Sequence, residues 1–227
     1  MIQRIKLMRM KTNIHVHELY KYFSTITFTQ NSSFGFLNQN FDLELNSIRS
    51  TYVERDISNQ EFIDPFGRAY TQTLISYNSF NFKIEPMFDG IFLLSIISPP
   101  RTIKNFIRII SEFFECQLSF SSVELSIIDL VDILTSNKKV SLFKISKLKA
   151  CGIRLNESST ANIEISSKSN AIDDIKDYIK DTEYRIEKLS GSMMFNNQKM
   201  IFEINKNGLI SISNDFPYRF ILQSIKK

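Results

Sequence analysis

The chain has 227 residues, of which 43% are hydrophobic and 23% are charged, and its formal net charge at pH 7 is +4. A hydrophobic fraction of this size excludes an intrinsically disordered chain and supports one domain or two closely packed ones. The nearly continuous apolar run of residues 91–97 is far too short to span a membrane as a helix, so we expect no membrane partner.

Residues 1–78 predict a β-rich N-terminal part. Its apolar spacing is typical of strands at residues 23–29, 41–48 and 68–77. Residues 64–67, Asp-Pro-Phe-Gly, are typical of a turn. Residues 79–227 are predicted to form an α+β part. Because no Gly/Ser-rich or Pro-rich linker separates the two parts, a single continuous domain is the alternative.

Three later segments repeat one pattern of strand, tight turn, strand and helix. They are residues 80–114, 151–180 and 201–227. The pattern predicts an α+β fold of antiparallel sheets with helices on one face. The C-terminal part would then consist of hairpin–helix modules of the ferredoxin-like or TATA-binding-protein-like kind. Internal duplication and convergence on a common unit both explain the pattern.

Apolar alternation in the last two modules predicts the register of their strands. In the third module, a three-residue loop ending at Gly208 places Ile204 opposite Ile210, with Gly208 at positive φ. In the second module, a five-residue loop places Ile153 opposite Ile163. Each register puts the apolar side chains of both strands on one face.

Capping residues predict where two of the helices begin. Ser121 and Glu124 fit a capping box for a helix that ends near Ser136. Ser169 or Asn170 can cap the helix of the second module.

Positive charge is concentrated in residues 138–154, which contain no acidic residue. A basic strand pair can follow a phosphate backbone, so its basic residues are candidates for binding nucleic acid. An ordinary sheet edge explains them equally well, because edge lysines discourage aggregation. The six candidates are Lys138, Lys139, Lys144, Lys147, Lys149 and Arg154.

His15-Val16-His17 is a pair of histidines with the spacing of metal ligands on a strand, where both imidazoles would point to one face. The motif resembles the His-hydrophobic-His motif of the HUH family of single-strand nicking enzymes. That resemblance implies a ferredoxin-like sheet, a divalent metal and a helix-borne tyrosine nucleophile, for which Tyr178 is the best-placed residue. Catalytic divalent sites usually take three protein ligands, and the chain has two histidines. We therefore expect no metal at His15 and His17 and no catalysis by Tyr178.

Other catalytic chemistries lack a sequence motif. The six glycines are scattered singly, so there is no glycine-rich phosphate loop, and no Gly-x-Ser-x-Gly is present. Cys116 and Cys151 are predicted to be free thiols, which fits a reducing cytoplasm. We expect no cofactor.

The sequence favours a non-enzymatic cytoplasmic binding or assembly protein, such as a subunit of a larger complex or an immunity or defence component. Its expected partner is another protein or a second copy of itself. One alternative is a nucleic-acid-binding protein that uses residues 138–154. The other is a metal-dependent single-strand nuclease that uses His15 and His17.

Overall fold

In the computed structural model of the protein, residues 2–88, 90–179, 183–213 and 219–225 are described. The chain divides into two compact units. One comprises residues 9–120, and the other comprises residues 1–8 together with 121–227. Both units consist mostly of antiparallel sheet with a few helices, which confirms the predicted α+β class.

Strand β1 (Ile2–Lys11) runs from one unit into the other. The unit of residues 9–120 continues with a helix, a four-stranded antiparallel meander and a second helix. These elements are α1 (Val16–Thr25), β2 (Phe34–Asp42), β3 (Ser47–Ile63), β4 (Ala69–Phe88), β5 (Ile91–Ile97) and α2 (Lys104–Phe113).

Aromatic side chains fill the core of this unit. Phe36 on β2 is 0% exposed. Four ring centres lie 4.6–6.0 Å from that of Phe36, namely those of Tyr22, Phe23, Tyr52 and Phe82. From α2, the ring centre of Phe106 lies 5.2 Å from that of Phe82. The helices are therefore joined to the sheet by ring-to-ring packing around Phe36.

Two of the strands predicted for this unit are wrong. Residues 16–25 are helical, because Val16, Leu19 and Phe23 form a buried stripe, so the strand predicted at residues 23–29 begins inside a helix. Residues 43–46 form a turn between β2 and β3, which interrupts the strand predicted at residues 41–48.

The third predicted strand and the turn before it are confirmed. Residues 69–77 belong to β4. At the turn, one carboxylate oxygen of Asp64 accepts hydrogen bonds from the backbone amides of Phe66 and Arg68 at 2.9 and 2.8 Å.

The second unit contains most of the remaining elements. Strand β6 (Ser119–Ser122) lies where the chain passes between the units. The others are α3 (Ile127–Ser136), β7 (Val140–Arg154), β8 (Thr160–Ser166), α4 (Ala171–Tyr178), β9 (Arg185–Phe195), β10 (Gln198–Asn205), β11 (Leu209–Ser213) and α5 (Arg219–Gln223). Their antiparallel strand order is β8-β7-β9-β10-β11-β1.

This sheet has one apolar and one polar face. Helix α3 packs on β7 and β9, and α4 packs on β7 and β8. The apolar face is buried, and its residues include Ile145, Leu148, Leu189, Ile204 and Ile210. The alternating residues on the other face are mostly lysines, serines and acids, which leaves that face open to solvent.

The three predicted hairpins are confirmed as β4–β5, β7–β8 and β10–β11, and they are followed in the chain by α2, α4 and α5. In β10–β11, Ile204 pairs with Ile210 as predicted, and Gly208 has a φ of +77°. The register predicted for β7–β8 is wrong, since Ile153 pairs with Ala161. The loop is five residues long as predicted but comprises residues 155–159, because Arg154 pairs with Thr160. A bulge between Ala150 and Ile153 shifts the ladder again beyond that point.

One of the two predicted helix starts is correct. Asn170 caps α4. The capping box at Ser121 and Glu124 is wrong, because Ser121 lies in β6 and α3 begins later. Ser126 is the residue that caps α3, and its hydroxyl accepts a hydrogen bond from the backbone amide of Asp129 at 3.4 Å.

Gly208 is a position where a side chain meets two obstacles. Its positive φ strains any side-chain-bearing residue, and a Cβ there would lie 3.0 Å from the backbone oxygen of Leu7 and 3.3 Å from the Cβ of Val123. We expect Gly208→Val to lower the free energy of unfolding by about 3 kcal/mol, as the sum of backbone strain and crowding. Urea denaturation measures this loss.

Gly67 provides a matched control for Gly208. It has a φ of +82°, but nothing lies within 4 Å of the position of its Cβ. Gly67→Val therefore reports backbone strain alone, and we expect it to cost about 1–2 kcal/mol. Equal losses in the two variants would contradict the crowding at Gly208.

Candidate functional site

Strands β3 and β4 extend as a two-stranded ribbon beyond the rest of their sheet. Pairing of β2 with β3 ends at Glu54, and pairing of β5 with β4 begins at Asn81. Beyond these points, eight residue pairs from Asp56–Ser76 to Ile63–Ala69 have no third strand beside them in the described part of the chain. We call residues 56–79 the arm, that is, these eight pairs, the turn at the tip and the next three residues of β4. Eight pairs at about 3.3 Å per residue make it about 26 Å long.

Besides the backbone ladder, few side-chain interactions join the two strands of the arm. The rings of Phe62 and Tyr70 stack across it near the tip, with their centres 5.4 Å apart. Further down, the Thr73 hydroxyl donates a hydrogen bond to the side-chain oxygen of Asn59 at 2.9 Å. An isolated two-stranded hairpin is marginally stable in water, so the arm gains stability from any partner that covers it.

The arm exposes apolar side chains on both faces. On one face, Ile57 and Ile75 stand directly opposite each other and are 54% and 55% exposed. Tyr77 lies beside them on the same face, while Tyr70 lies on the other and Phe66 at the tip. Exposed apolar side chains that adjoin one another in this way are typical of protein-binding surfaces.

The two edges of the arm differ in charge. Asp56 and Glu61 lie on β3, whereas residues 69–82 on β4 contain neither a charge nor a proline. Natural proteins usually protect an exposed edge strand with lysine, proline or inward-pointing charge. The β4 edge of the arm has none of these protections.

A cleft of about 530 Å³ lies at the root of the arm, where Glu54 and Arg55 contribute to its lining. Burial raises the pKa of Tyr22, which also lines this cleft, to about 12. The Glu54 carboxylate accepts hydrogen bonds from the Asn105 amide at 2.6 Å and from the Tyr52 hydroxyl at 3.4 Å. Because the pKa of Tyr22 is so high, its side chain is a protonated phenol at neutral pH, which suits it to hydrogen bonding and not to nucleophilic attack.

The six basic residues predicted to bind nucleic acid are spread along β7. Lys138 and Lys139 precede the strand, and Arg154 is its last residue. At about 3.3 Å per residue, the strand is about 50 Å long. The Lys144 ammonium donates a hydrogen bond to the carbonyl of Lys168. The structure therefore arranges these residues as a long strip and not as one cluster.

Lys147 and Lys149 lie next to each other on the open polar face of the sheet. Lys149 stands between Glu164 on β8 and Lys188 on β9. The Lys188 ammonium in turn lies 2.8 Å from a carboxylate oxygen of Glu203. An acid thus lies at each end of this row of four side chains and offsets its positive charge.

The histidine pair does not lie on a strand, so that prediction is wrong. His15 is the N-cap residue of α1 and His17 lies in its first turn. The His17 ring packs against the ring of Phe41, with 5.7 Å between the centres. Within the described residues, no group of three or more His, Cys, Asp or Glu side chains is arranged to hold a metal ion.

The remaining candidate residues are not part of the arm. Tyr178 is the last residue of α4 and is 73% exposed. Cys116, which is exposed, and Cys151, which is half-buried, are both free thiols. In the described ranges, no helix is both long enough and apolar enough to cross a membrane.

Sequence reasoning missed the arm, although it predicted one of its strands and its turn. The available signal was the absence of charge from residue 69 to residue 82, in a chain where 23% of residues are charged. Such a stretch is typical either of a buried strand or of an edge that a partner covers.

Comparisons with known proteins do not identify a family. No protein-family model matches the chain, and a search of curated proteins also finds no match. One solved structure with which it aligns is that of DynU16, a protein of the dynemicin biosynthetic locus. The identity is 7% and the TM-score 0.19, over 97% of this chain and 92% of that one. A likeness at this level says nothing about function.

Proposed function

We propose that this chain is a non-enzymatic, cytoplasmic binding or assembly protein that contacts a protein partner through its arm. The observation that carries the proposal is the ribbon of residues 56–79, with exposed apolar side chains on both faces and an unprotected edge. A subunit of a larger complex and an immunity or defence component both fit this role.

Two physical arguments support a protein partner. Burial of apolar surface contributes about 25 cal/mol per Å², so covering the half-exposed Ile57, Ile75 and Tyr77 contributes a few kcal/mol to binding. The free edge of β4 can also add its backbone hydrogen bonds to a strand of the partner, which is a common mode of protein recognition.

Photocrosslinking tests the proposal directly. A photoreactive amino acid at position 75 of the full chain, expressed in its source cells, is expected to yield discrete protein adducts. The matched control is position 142, where Leu142 is 80% exposed on β7, outside the arm. An absence of discrete adducts at position 75, or the same adducts from both positions, would contradict the proposal.

A shortened arm provides a second test. Asp56 and Ser76 pair directly, so residues 57–75 can be replaced by an Asn-Gly turn. The replaced residues include none of the buried core of the described chain, and we expect the melting temperature to change little. The complex identified by crosslinking should be lost. A complex that survives in the shortened variant would show that another surface binds the partner.

Nucleic-acid binding by the β7 strip is a second candidate function. Lys147 and Lys149 favour it because they lie on an open antiparallel face, the kind of surface that a ferredoxin-like or TATA-binding-protein-like module would present. Lys138, Lys139 and Arg154 extend the strip at its two ends.

The salt dependence of binding distinguishes this second candidate. If the strip binds phosphates, changing Lys144, Lys147, Lys149 and Arg154 to Gln should flatten the plot of log affinity against log salt. Each lost phosphate contact reduces the slope by about 0.7–0.9. Arg101→Gln with Lys104→Gln, at the start of α2, is the control. An unchanged slope, or no binding by the parent protein at low salt, excludes this function.

A further inference from the structure

We propose that the partner of the arm is a second copy of this chain, paired antiparallel along the outer edge of β4 over residues 71–79. The inference rests on the proposed use of the arm for protein binding. It adds to that proposal the edge that pairs, the occupant and the register.

The outer edge of β4 is open to another strand. On its inner side, residues 69–79 pair with β3. On its outer side, β5 begins to pair only at Asn81, and no other described strand takes its place. An antiparallel ladder over the nine residues 71–79 forms about nine backbone hydrogen bonds. It also converts two two-stranded ribbons into one four-stranded sheet, which exceeds the minimum for independent stability.

The lack of charge on the β4 edge favours a second copy of this chain as the strand that pairs with it. A strand that pairs with its own copy brings its charged side chains close to identical ones, which opposes pairing. Residues 69–79 carry no charge, so self-pairing meets no such opposition. On the other edge of the arm, self-pairing would bring Asp56 and Glu61 of both copies into one short ladder. The β4 edge is therefore the one suited to a twofold pair.

We place the twofold axis at Ile75. Ile75 then lies opposite Ile75 of the second copy, and Tyr77 lies opposite Thr73 of the second copy. The alternative is an axis at Leu74. The Leu74 side chain is already half-buried, whereas Ile75 is 55% exposed, so an axis at Ile75 covers more exposed apolar surface. The pairing also puts an aromatic side chain against a β-branched one, which is a favourable cross-strand combination.

The size of this contact predicts a reversible dimer. Nine residues span about 30 Å, and a paired edge about 12 Å wide covers roughly 360 Å² on each copy. That is about half of the standard area per partner in a stable complex. We therefore expect the dimer to dissociate on dilution.

Sedimentation velocity on the purified full chain, over a wide range of concentration, tests the inference. The parent protein should show a monomer–dimer equilibrium. Ile75→Lys puts two ammonium groups face to face at the axis and should weaken the dimer at least about tenfold. Ile57→Lys is the matched control, because it adds the same charge at an equally exposed site on the same face but on the other strand. It should leave the dimer largely intact.

Other outcomes overturn the inference in recognisable ways. A parent protein that stays monomeric at all concentrations overturns self-association. If Ile75→Lys and Ile57→Lys weaken the dimer equally, the two copies contact each other through the face of the arm that carries both residues, which overturns the edge pairing. If the protein is monomeric while position 75 crosslinks to a different protein in cells, the inference fails and the proposed function stands. If no adduct forms, both fail.

A disulfide tests the register. In a Cys116→Ser background, Ile75→Cys should form an intermolecular disulfide under mild oxidation, because residue 75 meets its own copy at the axis. Thr71→Cys lies four residues away on the same strand and face, and it should crosslink much less. Preferential crosslinking at position 71 would overturn the register.

Discussion

Replacing Phe36 by alanine is expected to lower the free energy of unfolding by about 4 kcal/mol. Phe36 is 0% exposed, and four aromatic rings surround it. Truncation removes its buried surface and leaves a cavity that rigid rings cannot easily fill. Urea denaturation followed by circular dichroism measures the loss.

Phe66→Ala is the control for Phe36→Ala. Phe66 is 87% exposed at the tip of the arm, so its removal should change stability by less than about 0.5 kcal/mol. A loss below about 1 kcal/mol in Phe36→Ala would contradict the central place of this ring in the core.

Gly191→Ala should also be strongly destabilising, by about 3 kcal/mol. A Cβ at Gly191 would lie 2.2 Å from the backbone oxygen of Lys144 and 3.1 Å from the Cα of Ile145. Both are backbone atoms, so β7 itself would have to move away from β9. The ladder between these strands is irregular on both sides of this point, and the glycine is what lets the Lys144 carbonyl approach so closely.

Ser192→Ala is the control for Gly191→Ala, because it lies on the same strand and its side chain is on the opposite, polar face. We expect it to change stability by less than about 0.5 kcal/mol. Unfolding of both variants in urea gives the comparison. If Gly191→Ala were as stable as the parent protein, the close approach of the Lys144 carbonyl would be wrong.

Local pattern predicted the hairpins well where apolar alternation was uninterrupted. Ile204 and Ile210 pair as expected because both strands alternate up to their loop. The register at Ile153 failed because the loop begins one residue earlier than predicted, which changes the partner of Ile153 by two residues and leaves the same side chains on the apolar face. The strand predicted at residues 23–29 failed because the apolar residues around Phe23 fit a helix up to Thr25 and a strand after it.

The candidate site was less predictable because its properties depend on non-local pairing. The basic strip was visible as charge, but the acids that offset Lys149 and Lys188 come from β8 and β10. The arm exists because β2 and β5 stop pairing before β3 and β4 do, and no signal within residues 56–79 determines where other strands end.

The unequal charge of the arm's two edges has a consequence for how far assembly can proceed. If the β4 edges join as proposed, the acidic β3 edges become the outer margins of the four-stranded sheet. Asp56 and Glu61 on each margin then repel any further ribbon, so growth stops at two copies. The same two carboxylates would thus limit assembly to a closed pair. Their neutralisation would allow open-ended association of further ribbons, which is an aggregation hazard.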